Sequence, residues 1–166
     1  FLFKNMSKNN NELIEVNYQP YIKRKYFFSL AEVKFYDLLK DILQDKYLLF
    51  AKVRICDLVK PEYKDGGYID FNRIKSKHVD FVICDKGPVM PKMIIELDDS
   101  SHNRPSRQER DEFVDEVFAN AGLPILHIKT RHEYDKEEII RKIQEAYQAK
   151  YKINHNSDKS PTWWQN

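Results

Sequence analysis

The stretch HVDFVICDKGPVMPKMIIELD, residues 78–98, contains two apolar runs separated by a turn. The runs at 78–84 and 92–98 are rich in valine, isoleucine and other apolar residues, and they have the length of β-strands. DKGP at 85–88 has the composition of a tight turn. We therefore predict that the two strands form a β-hairpin.

Three carboxylates stand in the two strands of this hairpin, although buried strands are usually apolar. Strand side chains alternate between the two faces of a sheet, which places three apolar side chains of the first strand on one face: Val79, Phe81 and Ile83. Asp80 would then point to the opposite face, and Glu96 and Asp98 would share one face of the second strand. Pairing through the turn would bring Asp80 beside Glu96 or Asp98.

Carboxylates that converge on one face repel one another unless a cation neutralises them. Ligation by oxygen alone favours Mg²⁺, Mn²⁺ or Ca²⁺ over zinc. The sequence therefore predicts a metal site formed by Asp80, Glu96 and Asp98. The alternative is a polar strand edge that faces solvent.

Capping signals and apolar periodicity indicate three helices. SLAE at 29–32 and SRQE at 106–109 both have the pattern of a capping box, and Gly122 would end the second helix. The last helix has two alternative starts, TRHE at 130–133 and DKEE at 135–138. Both starts precede the same apolar stripe.

Two further apolar runs complete the predicted sheet, YLLFAKVRI at 47–55 and ILHI at 125–128. The resulting order is α-β-β-β-α-β-α, which indicates an α/β fold with a four-stranded mixed sheet flanked by helices. The basic, glycine-containing segment 60–77 is predicted to be a long connection, and loops of that length usually carry function or are mobile.

The composition is that of a folded protein. With 42% hydrophobic and 33% charged residues, the chain suits one domain with a sizeable core rather than a disordered segment. We expect this domain at residues 19–151, between a flexible N-terminal segment at 1–18 and a polar tail at 152–166. We expect neither a membrane-spanning segment nor a signal peptide, because no apolar run is long enough and residues 1–15 turn polar after three residues. Cys56 and Cys84 stand among apolar residues, so we expect buried thiols and a cytoplasmic protein.

Basic residues flank the acidic hairpin, although the net charge of +2 is too small to indicate a nucleic-acid partner by itself. Lys75 and Lys77 precede the hairpin, and Arg107 and Arg110 follow it on one stripe of a helix. Helix N-termini and guanidinium groups both bind phosphate, so these four residues are candidate phosphate ligands. The alternatives are a solvated loop for the basic segment and a structural ion pair for Arg110.

Two further residues could belong to the site. Glu32 completes the first capping box, yet it shares a helical face with Phe35 and Leu39 and so leans toward the core. Both roles, cap and site, stay open. His102 lies just before the second helix, where it could meet a phosphate or a water, and the alternative is an exposed histidine without a role.

A family resemblance is carried by three segments: SLAEVKFYDLL at 29–39, KHVDFVICD at 77–85 and IIELDDSSHNRPSRQERDEFVDEVFANAGLPIL at 94–126. They resemble a bacterial domain family of uncharacterised function that is placed in the PD-(D/E)XK, or restriction-endonuclease-like, nuclease superfamily. The resemblance covers about residues 20–130. It implies that Asp80 is the metal-binding aspartate, Glu96 the acidic residue of Glu-x-Lys, and Glu32 the first-helix glutamate.

The chain departs from that pattern at Asp98, which stands where the superfamily has the lysine that orients and activates the attacking water. Branches that resemble very-short-patch repair endonucleases also lack this lysine, so its loss does not by itself imply an inactive protein. The proton acceptor stays open between His102, Lys77 and water bound to the metal.

The resemblance thus implies a nuclease that depends on Mg²⁺, with Mn²⁺ able to substitute, and that hydrolyses DNA or, as a second candidate, RNA. Its predicted catalytic residues are Glu32, Asp80, Glu96, Asp98 and His102. The alternative is an inactive nuclease fold that binds nucleic acid. A protein-interaction domain would leave the converging carboxylates unexplained.

Overall fold

The computed structural model describes residues 21–62, 67–98 and 105–154, with the backbone alone at 105–108 and 150–154. The predicted flexible segment at 1–18 and the candidate His102 lie outside the described residues.

The described chain forms one four-stranded sheet with helices packed against it. In chain order the elements are α1 (Leu30–Leu43), β1 (Tyr47–Arg54), α2 (Ile55–Leu58), α3 (Gly67–Ile74), β2 (His78–Asp85), β3 (Pro91–Asp98), α4 (Pro105–Ala121), β4 (Ile125–Lys129) and α5 (Lys136–Asn154). The strand order is β1-β2-β3-β4; the first two pairings are antiparallel, and β3 and β4 are parallel. This mixed sheet confirms the predicted fold class.

The predicted hairpin is formed by β2 and β3. Phe81 pairs with Ile95 and Val82 with Ile94, and the register shifts beyond Ile83. The turn is wider than the sequence indicated, because the hydrogen bond that closes it joins the Asp85 amide to the Met90 carbonyl at 3.0 Å.

Two apolar clusters fill the space on either side of the sheet. The first packs α1 and α5 on the sheet through Phe35, Leu39, Leu43, Phe81, Ile83, Met93, Ile95, Ile128, Ile139, Ile143 and Tyr147. The second packs α2, α3 and α4 on the sheet through Ile55, Ile74, Val79, Val82, Cys84, Ile94, Val114 and Phe118. The sheet is therefore covered on both faces. Cys84 is a buried free thiol as predicted, whereas Cys56 is only partly buried.

The alternation of side chains breaks at Asp80. Phe81 lies in the first cluster, but Val79 lies in the second, so the prediction that both share a face is wrong. The paired strand changes face at the same point: Ala51 packs against the first cluster and Val53 against the second. Lys52, between them, has a φ of 56°, in the left-handed region, so the backbone departs from regular strand geometry where the side chains change face.

The helix boundaries test the capping predictions one by one. The α1 capping box is present, with Ser29 and Glu32 each bonded to the backbone amide of the other. Helix α4 begins at Pro105, which places Ser106 inside the helix, so the capping box predicted there is wrong. Proline favours such a first position because its missing N–H would have no partner within the helix.

The C-terminal end of α4 and the start of α5 follow the sequence signals. Gly122, at a φ of 73°, ends α4, and the amide of Leu123 donates to the Phe118 carbonyl at 3.0 Å. Asp135 caps α5 by accepting from the Glu138 amide at 2.8 Å, which selects DKEE over TRHE as the start.

Helices α2 and α3 were not predicted. Helix α2 follows the strand predicted at 47–55, and α3 lies inside the segment 60–77 that was predicted to be a long connection. They are short, with four and eight residues, and α3 buries the side chain of Ile74 as its main apolar anchor. None of the helices in the described part of the chain has the length and hydropathy needed to cross a membrane.

Candidate active site

A cleft of about 180 Å³ lies where β2 begins and β3 ends. The residues that line it come from β2, β3, α4 and β4: His78, Asp80, Glu96, Leu97, Asp98, Arg110, Asp111, Val114 and His127. The break in alternation at Asp80 lies at this cleft, so the local backbone geometry of the sheet and the position of its acidic groups are linked.

Asp80 and Glu96 lie side by side at the floor of the cleft. They are the next pair along the register that joins Phe81 to Ile95. The Asp80 amide donates to Glu96 Oε2 at 3.3 Å, and the Leu97 amide donates to Asp80 Oδ2 at 3.0 Å. The predicted meeting of the two carboxylates across the hairpin is present in the structure.

The environment of Glu96 disfavours its charged form. Burial raises the pKa of this carboxyl, and the negative charge of Asp80 raises it further, to about 8. Glu96 is thus held protonated near neutral pH, next to a carboxylate that it could join as a second cation ligand.

We expect the thermal stability of the metal-free protein to fall as pH rises from about 5 to about 8. The pKa of Glu96 is about 8 in the folded protein, against an ordinary value of 4.5, so the folded state binds more protons in this window. Rising pH therefore favours unfolding. Melting curves in EDTA would show this slope for the wild type and a flatter one for Glu96→Gln. Parallel slopes would contradict the assignment.

Lys52 joins Asp80 to the first helix. Its Nζ contacts Glu32 Oε1 and lies 3.3 Å from Asp80 Oδ1. Burial acts to lower the pKa of Lys52, but its bonds to both carboxylates raise it above the usual value. Burial acts to raise the pKa of Glu32, but Lys52 and Ser29 together lower it. An ion triad therefore adjoins the cleft.

The capping role of Glu32 is confirmed, and its role in a site stays a prediction. Its Oε2 accepts from the Ser29 amide at 2.7 Å, while Oε1 contacts Lys52. The capping box thus fixes a carboxylate that also holds the lysine beside Asp80. Glu32 does not line the cleft and reaches it only through Lys52.

Lys52 is a residue beside the cleft that the sequence did not single out. A non-glycine residue in the left-handed region costs about 1–2 kcal/mol, and such strain often marks functional positions. Here the strained residue is the one whose side chain meets two candidate site carboxylates. The only signal in the sequence was a lysine inside an apolar strand, which does not reveal its partners.

His127 is a second cleft residue that the sequence did not single out. It pairs with Glu96 along β3 and β4. Its Nδ1 lies 3.2 Å from Asp98 Oδ1, and its Nε2 lies 2.9 Å from Asp115 Oδ1. Burial acts to lower the pKa of His127, but the two carboxylates raise it above the usual value. The two aspartates therefore favour protonation of His127 relative to a histidine in solvent, and Asp98 is engaged with the imidazole ring.

The predicted phosphate ligands are not gathered in one place. Arg110 lines the cleft, whereas Lys75 is exposed after α3. Lys77 donates to the Arg73 carbonyl, and both side chains lie over the Phe113 ring, at 5.4 Å and 3.9 Å from its centroid. The side chain of Arg107, in the first turn of α4, lies outside the described residues.

The donor set of the cleft fits a hard cation. Within the described ranges, no group of three or more His, Cys, Asp or Glu side chains is arranged to hold a metal ion. Mg²⁺ does not require such a group, because it is usually bound through one or two carboxylates together with water and substrate phosphate. Asp80 and Glu96 supply two adjacent carboxylates of this kind.

Helices on both faces of a mixed sheet, with an acidic cleft where two central strands meet, define an α/β domain with a candidate active site. Residues 24–147 match the family described as "Protein of unknown function (DUF2726)", and the chain belongs to this family. No curated protein and no solved structure matches the chain. The expected membership of a family of unknown function is confirmed, while its placement among the nucleases stays a prediction.

Proposed function

We propose that this protein is a Mg²⁺-dependent nuclease of the PD-(D/E)XK type that hydrolyses phosphodiester bonds in DNA, with RNA as a second candidate substrate. The observation that carries the proposal is the pair of Asp80 and Glu96 in one cleft, where burial and mutual repulsion hold a proton on Glu96. A divalent cation would replace that proton and relieve the repulsion.

Asp80 and Glu96 would hold the cation, with Asp98 as a further candidate ligand. Bound there, Mg²⁺ or Mn²⁺ would lower the pKa of water and stabilise negative charge in the transition state. The chain's own residues keep the ligands in place: the Leu97 amide and Lys52 hold the two oxygens of Asp80.

Positive charge for the substrate comes from two sides of the cleft. Arg110 lines it from α4, and a guanidinium group suits a phosphate because it donates two parallel hydrogen bonds. His127, whose pKa two aspartates raise above its usual value, would add positive charge near Glu96 when it is protonated. Lys77 is engaged outside the cleft, so His102 and water remain the candidate proton acceptors.

The direct test is cleavage of end-labelled DNA and RNA, single-stranded and duplex, with Mg²⁺ or Mn²⁺ and with EDTA. We expect products only with the divalent cation and none from Glu96→Gln. Cleavage that persists in EDTA would contradict the proposal. Binding without any cleavage would favour the inactive nucleic-acid-binding module, which the aspartate at position 98 also suits.

A further inference from the structure

The segment YIKRKYFF, residues 21–28, presents a surface that neither apolar cluster explains. The side chains of Tyr21, Tyr26 and Phe27 are 88%, 70% and 69% exposed. Three exposed cations stand between these rings: Lys23, Arg24 and Lys25. Large exposed aromatic side chains beside a run of positive charge usually mark a binding surface.

Phe28 anchors this segment to the folded domain. Its ring lies 5.2 Å from that of Tyr36 and 6.0 Å from that of Phe81, a residue of the core. The Phe27 ring lies 4.9 Å from that of Phe28, tilted by 59°, and Ser29 then caps α1. The exposed rings are therefore held next to a fixed point of the structure.

The segment enters the domain at the end of the sheet that carries the cleft. Lys34, in α1, donates to the His132 carbonyl at 3.3 Å, and the Thr130 amide donates to the Asp98 carbonyl at 2.7 Å. The start of α1 is thus linked to the loop after β4 and, through it, to the end of β3. Glu32 and Lys52 make a second link, to Asp80.

We infer that residues 21–28 bind single-stranded nucleic acid. The three cations neutralise backbone phosphates, and the exposed rings stack on bases. Unpaired bases are required because the faces of bases in a duplex are already covered by their neighbours. The inference rests on the proposed function and names its substrate class: nucleic acid with an unpaired stretch next to the bond that is cut.

Fluorescence anisotropy in EDTA tests the inference without cleavage. The probes are a labelled single strand of about 16 nucleotides, the length of the larger single-strand sites, and the matching duplex. We expect tighter binding of the single strand. The Tyr26→Ala/Phe27→Ala variant should weaken it by about tenfold or more, since each stacked base is worth about this much. Thermal melting should show that the variant remains folded.

A second variant and a matched control complete the experiment. Lys23→Ala/Arg24→Ala/Lys25→Ala should flatten the slope of log affinity against log salt by about 2, at roughly 0.7 per lost phosphate contact. Phe50→Ala removes an aromatic side chain that is 42% exposed on β1, away from any basic run, and should leave binding unchanged.

The inference is overturned by equal affinity for single strand and duplex, or by unchanged single-strand binding in both segment variants. Binding to phosphatidylserine vesicles with no binding to the oligonucleotides would also overturn it and assign the segment to an anionic lipid surface. Single-strand binding that depends on the segment, with no cleavage in the presence of any divalent cation, would uphold the inference and contradict the nuclease proposal. Cleavage that is unchanged in both segment variants would uphold the nuclease proposal and contradict the inference.

Discussion

Asp80→Asn is expected to abolish cleavage while leaving the fold intact. The change keeps the shape of the side chain but removes the charge of one of the two proposed cation ligands. Altering residues that merely support a metal ligand already costs about 10- to 100-fold, so we expect a loss above about 100-fold. The loss should appear in turnover, because the cation acts mainly on the transition state.

The same variant makes a prediction about stability. Without Asp80, Glu96 loses a repulsive neighbour and Lys52 loses an attractive one. These effects oppose each other, so the melting temperature in EDTA should change little, and the pKa of Glu96 should fall toward its ordinary value. Asp85→Asn is the matched control, because Asp85 ends the same strand and pairs with Lys92 at 2.9 Å. Full activity in Asp80→Asn would refute the assignment of this aspartate.

Lys52→Met is expected to have the second-largest effect. Methionine keeps the length and apolar body of the side chain but leaves Glu32 and Asp80 without their shared cation. We expect turnover to fall by about 10- to 100-fold with a smaller change in KM, as is typical when a group that orients a metal ligand is lost. The free energy of unfolding should fall by about 2 kcal/mol, the range for hydrogen bonds to charged groups.

Lys92→Met provides the control for this prediction. Lys92 has the same exposed fraction as Lys52, 24%, and also pairs with an aspartate, but at the other end of the hairpin. It should lower stability and leave cleavage unchanged. If both lysine variants lose stability and neither loses turnover, Lys52 has a structural role alone. Lys52→Arg, which retains the charge, should recover part of the lost turnover.

Local sequence signals were sufficient to predict the elements that depend on residues close together in the chain. The α1 capping box, the Gly122 terminus and the hairpin of β2 and β3 depend on residues a few positions apart, and each is present. The same reasoning failed for Ser106, because the proline before it already starts the helix. It also missed α3, an eight-residue helix inside the basic segment that was predicted to be a connection.

The meeting of Asp80 and Glu96 could also be predicted, because a hairpin register is set by two adjacent strands and their turn. Such a register requires no knowledge of the rest of the fold. The sequence also marked Arg110 as a candidate, and it lies in the cleft. The sequence could not show that Arg110 lines the cleft while Lys75 and Lys77 do not, because the presence of a positive charge does not reveal where its side chain points.

By itself the sequence determined the fold class, the hairpin and the pair of carboxylates, since these follow from short-range periodicity and pairing. Only the tertiary structure decided which cations face them. Lys52 reaches Asp80 and Glu32 because β1 lies beside β2 and adopts a left-handed residue there. His127 contacts Asp98 and Asp115 because β4 pairs with β3 and packs against α4. Such contacts join residues distant in the chain, and a side chain's partners there depend on how whole elements pack.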